Sequence, residues 1–136
     1  MKLLIDTNIY LDAMMDRAPW AEAAKNLLIA VAEERAAGCI SASSFSDIYY
    51  ILRKHLQDKE KARQALIGLV AAIDILDVSG IDCEKALNSP LPDIEDAILL
   101  YCGERHKVDY IVTRDIKHYK DSPIEIIEPD AVLKLL

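Results

Sequence analysis

The sequence contains no apolar run approaching the roughly 20 residues that a membrane-spanning helix needs. Its opening apolar stretch, Leu3-Leu4-Ile5, meets Asp6 at once and is too short for a secretory signal, so a cytoplasmic address is expected. Cysteine is scarce: Cys39, Cys83 and Cys102 are odd in number and irregularly spaced. That excludes a Cys-x-x-Cys zinc pair and argues against a disulfide framework, leaving three thiols expected to be buried or partly buried. Only four glycines interrupt the chain, and no repeat or low-complexity stretch occurs. Positive charge is also short, with 16 Lys and Arg against 23 Asp and Glu, a net charge of −7. Nucleic-acid binders normally carry a basic patch, so this balance speaks against that class. It ceases to do so if many of the acids converge on bound cations, which reverse the local field.

What is present is an apolar fraction of 52% in 136 residues, enough for one domain spanning residues 1–136 with a sizeable core. Leu3 to Ile5 reads as a buried strand ended by the turn-friendly Asp6-Thr7-Asn8. Pro19 opens a helix with Ala24, Leu27, Leu28 and Val31 at helical spacing, Gly38 closes it, and Cys39-Ile40 form a second strand. Ser43 or Ser44 caps the next helix, whose apolar face is Phe45, Ile48, Tyr49, Leu52 and Leu56. A further helix carries Ala62, Ala65, Leu66, Leu69 and Val70, before a strand through Ile73, Ile75 and Val78. A short helix near Asp82 to Leu87 and a proline-bracketed turn lead to a helix from Asp93. Tyr110 to Thr113 and Ile124 to Ile127 are apolar strands, and Pro129 starts the last helix. Short apolar strands alternating with helices predict an α/β fold, a parallel sheet covered on both faces. Ligands of such sheets bind beyond the carboxyl ends of the strands.

Four acids fall at those ends. Asp6 follows the first strand, Asp115 follows the strand ending near Val112, and Asp47 and Asp96 are expected in first helical turns. Each has an ordinary explanation. Asp6 suits a turn, and Asp115 can cap a short helix through Lys117 to Tyr119. Ser44 to Asp47 and Asp93 to Asp96 have the spacing of capping boxes, and acids in a first turn are favoured by the helix dipole. If they converge, however, two carboxylates about 4 Å apart repel by about 4 kcal/mol at an effective dielectric of about 20. Such a cluster takes up protons or recruits a cation. Oxygen ligands without His or Cys suit magnesium or manganese, and metal-assisted phosphodiester hydrolysis is the chemistry that follows.

Leu4-Ile5-Asp6-Thr7-Asn8 resembles the opening strand and turn of PIN domains. Asp96-Ala97-Ile98-Leu99 is similar to their central acidic helix, and Tyr110-Ile111-Val112-Thr113-Arg114-Asp115 to their apolar strand followed by Thr, any residue and Asp. Ile126-Ile127-Glu128-Pro129 resembles the closing strand and helix. The ordered set extends from residue 3 to about residue 132. The resemblance implies a three-layer α/β/α fold with about five parallel strands, and a magnesium- or manganese-dependent endoribonuclease. It makes Asp6 and Asp96 the main metal ligands, with Asp115 supporting a metal or orienting a water. Asn8 and Thr113 then hold those carboxylates by hydrogen bonds. Asp47 stands where the family more often has Glu. Asp93 resembles an extra acid of one branch, although its place after Pro92 also suits an N-cap. Stand-alone members of this length are often VapC-like toxins, commonly homodimers, paired with an antitoxin that enters the active-site groove.

Arg114 and Lys117 flank Asp115 and are candidates to meet a substrate phosphate. His55, His106 and His118 share no metal-ligand spacing and read as surface residues. Trp20 is expected to pack at the start of its helix, with RNA stacking the alternative. Gly103 permits close helix packing. Two other functions compete: a PIN-like module that binds RNA or a partner without cutting it, and a receiver-like phospho-switch. The second wants paired acids beside the first strand, where this chain has Asp6-Thr7-Asn8.

Overall fold

A computed structural model describes residues 1–136. Five strands, β1 (Lys2–Ile5), β2 (Ala37–Ser41), β3 (Asp74–Leu76), β4 (Tyr110–Val112) and β5 (Glu125–Ile127), form one sheet in the order β3-β2-β1-β4-β5. Every pairing is parallel. In chain order the helices are α1 (Thr7–Met14), α2 (Ala21–Ala32), α3 (Ala42–Leu56), α4 (Lys59–Val70), α5 (Gly80–Leu87), α6 (Ile94–Arg105) and α7 (Pro129–Leu133), with a 3₁₀ turn at Ile116–Tyr119.

Side chains of β1 alternate between two cores, as a strand period of two requires. Leu3 and Ile5 join Ile9, Leu27, Ile48 and Val132 on the side covered by α1 to α4 and α7. Leu4 joins Ala97, Leu100 and Ile111 on the side covered by α5 and α6. The result is the expected three-layer α/β/α arrangement. The chain winds from β1 outward to β3, then crosses the other face to β4. Its winding direction therefore reverses between β2 and β4, on either side of β1. Such a reversal opens a crevice beyond the strand ends.

The structure redraws several local expectations. Asp6-Thr7-Asn8 is the start of α1, which leans on the first core through Ile9, Tyr10 and Leu11. Asp6 is its N-cap, accepting from Thr7 N at 2.7 Å. Helix α2 starts at Ala21 and ends at Ala32, so Pro19 precedes it and Gly38 lies within β2. Gly38 is needed for packing: a Cβ there would stand 2.6 Å from Val31 Cγ1. Helix α3 is capped by Ser41, whose Oγ accepts from Ser44 N at 3.1 Å, and not by Ser43 or Ser44. Asp47 consequently lies beyond the first turn. Strand β3 stops at Leu76 and excludes Val78. Cys83 is exposed, whereas Cys39 and Cys102 are buried. Gly103 is tight as expected, with Leu4 and Val108 each 3.1 Å from where a Cβ would sit. No helix is long and apolar enough to cross a membrane.

Candidate active site

Strand pairing fixes the centre of the site. Asp6 N donates to the carbonyl of Val112 at 2.9 Å, and Thr113 N to that of Ile127 at 3.0 Å, so the ladder runs one residue past β1 and β4. This sets Asp6 and Thr113 side by side at the carboxyl edge. Thr113 Oγ1 donates to Asp6 Oδ2 at 2.9 Å and accepts from Asp115 N at 3.1 Å. Asn8, the second residue of α1, donates from Nδ2 to Asp115 Oδ2 at 2.8 Å. Asp115 therefore does not cap the 3₁₀ turn that follows it. Its carboxylate is held by Asn8, and its backbone N–H by the same Thr113 hydroxyl that bonds Asp6.

Asp96 comes from the opposite wall, at the start of α6. Asp93 caps that helix, accepting from Glu95 N at 2.8 Å and Asp96 N at 3.1 Å. Asp96 does not complete a capping box. Its carboxylate faces His118 Nδ1 at 3.0 Å and accepts from Tyr119 Oη at 3.3 Å. The 3₁₀ turn thus joins the segment carrying Asp115 to Asp96. Sequence pattern missed both contacts, because they depend on a four-residue turn with no apolar period of its own.

Asp6, Asp47, Asp93, Asp96 and Asp115 all line one cleft of about 720 Å³, with Asn8, Arg17 and His118. Burial pushes the Asp6 carboxyl up from 3.8 to about 6, with the charges of Asp96 and Asp115 adding to the rise and bonds from Thr113 and Thr7 opposing it. Burial also raises Asp96, reinforced by Asp93 and opposed by His118 and Tyr119. Burial among these acids holds the Tyr119 hydroxyl protonated, well above its ordinary range. The donor set is what a hard cation takes, and the charges that raise Asp6 are those a cation would relieve. Asn8 Oδ1 is buried here without a hydrogen-bond partner. No three His, Cys, Asp or Glu side chains stand ready-made as a metal cage. By the chemistry of the donor set alone, an ion that takes one or two carboxylates and keeps its waters, as magnesium does, suits these residues.

The flanking cations differ from expectation in their surroundings. Arg114 is turned to Asp12, donating from Nε to Oδ2 at 2.8 Å and from Nη2 to Oδ1 at 3.2 Å, and is not among the cleft-lining residues. Lys117 is exposed outside the cleft. Arg17 is the basic side chain other than histidine in the cleft wall. Asp12 is fully buried, which the sequence did not reveal because α1 itself was not legible.

A family model described as PIN domain matches residues 2–117. The chain belongs to the PIN domain family. No curated protein matches it in sequence. Among solved structures, this PIN domain is similar to VapBC2 of Rickettsia felis bound to a promoter DNA fragment, with a TM-score of 0.70 at 18% identity over 94% of this chain and 98% of that one. A toxin–antitoxin complex of Klebsiella pneumoniae aligns with a TM-score of 0.69 at 22% identity, over 95% and 98%. VapC20 of Mycobacterium tuberculosis, described as a sarcin-ricin loop cleaving toxin, aligns with a TM-score of 0.67 at 13% identity, over 85% and 92%. At these identities the likeness establishes the fold.

Proposed function

We propose that this PIN domain, a single unit over residues 1–136, is a divalent-metal-dependent endoribonuclease and the toxin of a toxin–antitoxin pair. The observation that carries the reading is the gathering of Asp6, Asp47, Asp96 and Asp115 around one cleft at the winding reversal of a parallel sheet. Asp6, Asp96 and Asp115 would hold magnesium or manganese. The ion supplies neutralisation of phosphate charge and a more acidic water. Thr113 and Asn8 hold the carboxylates of Asp6 and Asp115 by hydrogen bonds. His118 and Tyr119 fix both oxygens of Asp96. Asp47, at the cleft margin, is a further acid to orient a water or substrate, and Asp93 serves first as the cap of α6. Arg17 takes the place of Arg114 and Lys117 as the candidate phosphate contact, because it lines the cleft and its pairing with Asp12, at 3.8 Å, is looser than that of Arg114.

The antitoxin partner is supported by the toxin–antitoxin complexes the fold resembles, and a homodimer is carried only by the resemblance to the family. Exposed Tyr50 at the lip of the cleft, 60% accessible, offers such a partner an apolar contact. A cytoplasmic address follows from the same reading. Incubation of purified protein with RNA, with and without manganese, tests the activity. Cleavage should require the metal and be lost in Asp6→Asn and Asp96→Asn variants. Undiminished cleavage by those variants would refute it. The net charge of −7 and an Asp at position 47, where the family more often has Glu, favour a second reading, an RNA- or partner-binding module without turnover. Metal binding with no cleavage of any RNA tested would select that reading.

A further inference from the structure

Beside the carboxylate cleft, and sharing Asp115 with it, lies a second cavity of about 440 Å³. Its size falls within the roughly 300–1,000 Å³ of small-molecule sites. Trp20 and Arg114 form one wall, with Glu128 and Asp130 also lining the cavity. The Arg114 guanidinium sits 4.0 Å from the centroid of the Trp20 ring. Asp12, fully buried, grips that guanidinium with two hydrogen bonds, so its plane is set before any ligand arrives. Trp20 is 44% exposed, in a cavity that opens beside a candidate catalytic acid.

The charges decide what the cavity accepts. Arg114 is already matched by Asp12, while Asp115, Glu128 and Asp130 leave the cavity negative. A phosphate group is repelled from it. What it offers is an aromatic face, a planar guanidinium and carboxylate acceptors. Nucleobases stack on such faces, and carboxylates accept from their amino groups. Uracil has no amino group and turns carbonyl oxygens outward. Guanine presents two adjacent N–H donors and matches a carboxylate best.

We infer that this cavity is a nucleobase subsite, in which the base next to the scissile phosphate packs against the Trp20–Arg114 pair. Glu128 and Asp130 select an amino-bearing base over uracil. The inference rests on the ribonuclease reading for its role in cleavage, although not for nucleoside binding itself. Trp20 is the only tryptophan in the chain, so its fluorescence reports the cavity directly. The nucleosides guanosine and uridine, which carry no phosphate for the acidic walls to repel, are titrated in the presence of a chelator and test binding apart from catalysis. Saturable quenching by guanosine, at least about tenfold tighter than by uridine, is expected. Glu128→Gln combined with Asp130→Asn, both at exposed positions, should bring the two affinities together without shifting the unfolding midpoint. Trp20→Leu should raise KM for RNA and flatten the base preference of cleavage, with Trp20→Phe restoring part of it. No saturable quenching, equal binding of the two nucleosides, or an unchanged preference in the double variant would overturn the subsite. Selective nucleoside binding without RNA cleavage would remove the ribonuclease reading and leave the subsite standing. Cleavage with the same base preference in wild type and double variant would do the reverse.

Discussion

Removing the charge of Asp6 should stabilise the metal-free protein. Burial holds its carboxyl at about 6 against an ordinary 3.8. A rise of that size corresponds to about 3 kcal/mol against the ionised form well above pH 6. Between the two values the native state binds a proton that the unfolded chain has released. Stability therefore falls as pH rises through that window, and the penalty is constant above it. Asp6→Asn keeps the shape and discards the charge. Its amide oxygen can still accept from Thr7 N, but its amide nitrogen faces Thr113 Oγ1, which already accepts from Asp115 N. One weakened hydrogen bond costs about 1 kcal/mol, leaving a gain of about 2 kcal/mol near pH 8 and a small loss near pH 4. Urea unfolding in chelator at the two pH values measures both. A variant less stable than wild type at the higher pH, or a difference independent of pH, would refute the reasoning. Added manganese should narrow the gap, because wild type gains binding energy that the variant lacks.

In unfolding experiments Arg114→Ala should cost less than the about 3–5 kcal/mol of a fully orphaned buried charge, because Arg17 stays 3.8 Å from Asp12, and Asp12→Asn in the same chain should recover much of that loss. Thr113→Val should lose about 1–3 kcal/mol and push the Asp6 carboxyl above 6, seen by carboxyl-resolved NMR titration, while Thr113→Ser should leave both near wild type. Gly38→Ala should cost at least about 1–3 kcal/mol, since the added Cβ meets Val31. Gly68→Ala, inside α4 with nothing within 4 Å of its Cβ, should gain about 0.5–1 kcal/mol in the same assay.

The parallel sheet was legible because its strands are short apolar runs with few competing interpretations. Helix boundaries were less so. Helix α1 hides behind Asp6-Thr7-Asn8, which suits a turn and a helix start equally well, and the fold chooses the helix because Ile9, Tyr10 and Leu11 bury against the first core. Losing α1 from the reading also lost Asp12, whose only sequence signal is a lone acid among apolar residues. Ser41 outcompeted Ser43 and Ser44 as cap because β2 ends on it, a fact that strand pairing sets and local propensity does not. The candidate acids were visible through their ordered spacing, but the groups that orient Asp96 were not. His118 and Tyr119 reach it only after the 3₁₀ turn folds against α6, a contact made across 22 and 23 residues of sequence. Arg114 illustrates the opposite error. Adjacency to Asp115 suggested a phosphate contact, and the buried charge of Asp12 claims it instead.

Crystals grown with manganese, read by anomalous scattering, test the central claim most directly. The account predicts one strong peak in the cleft within bonding distance of Asp6 and Asp96 oxygens, with Asp115 bound to it or to one of its waters. Density showing no ion in the cleft at millimolar manganese would contradict it.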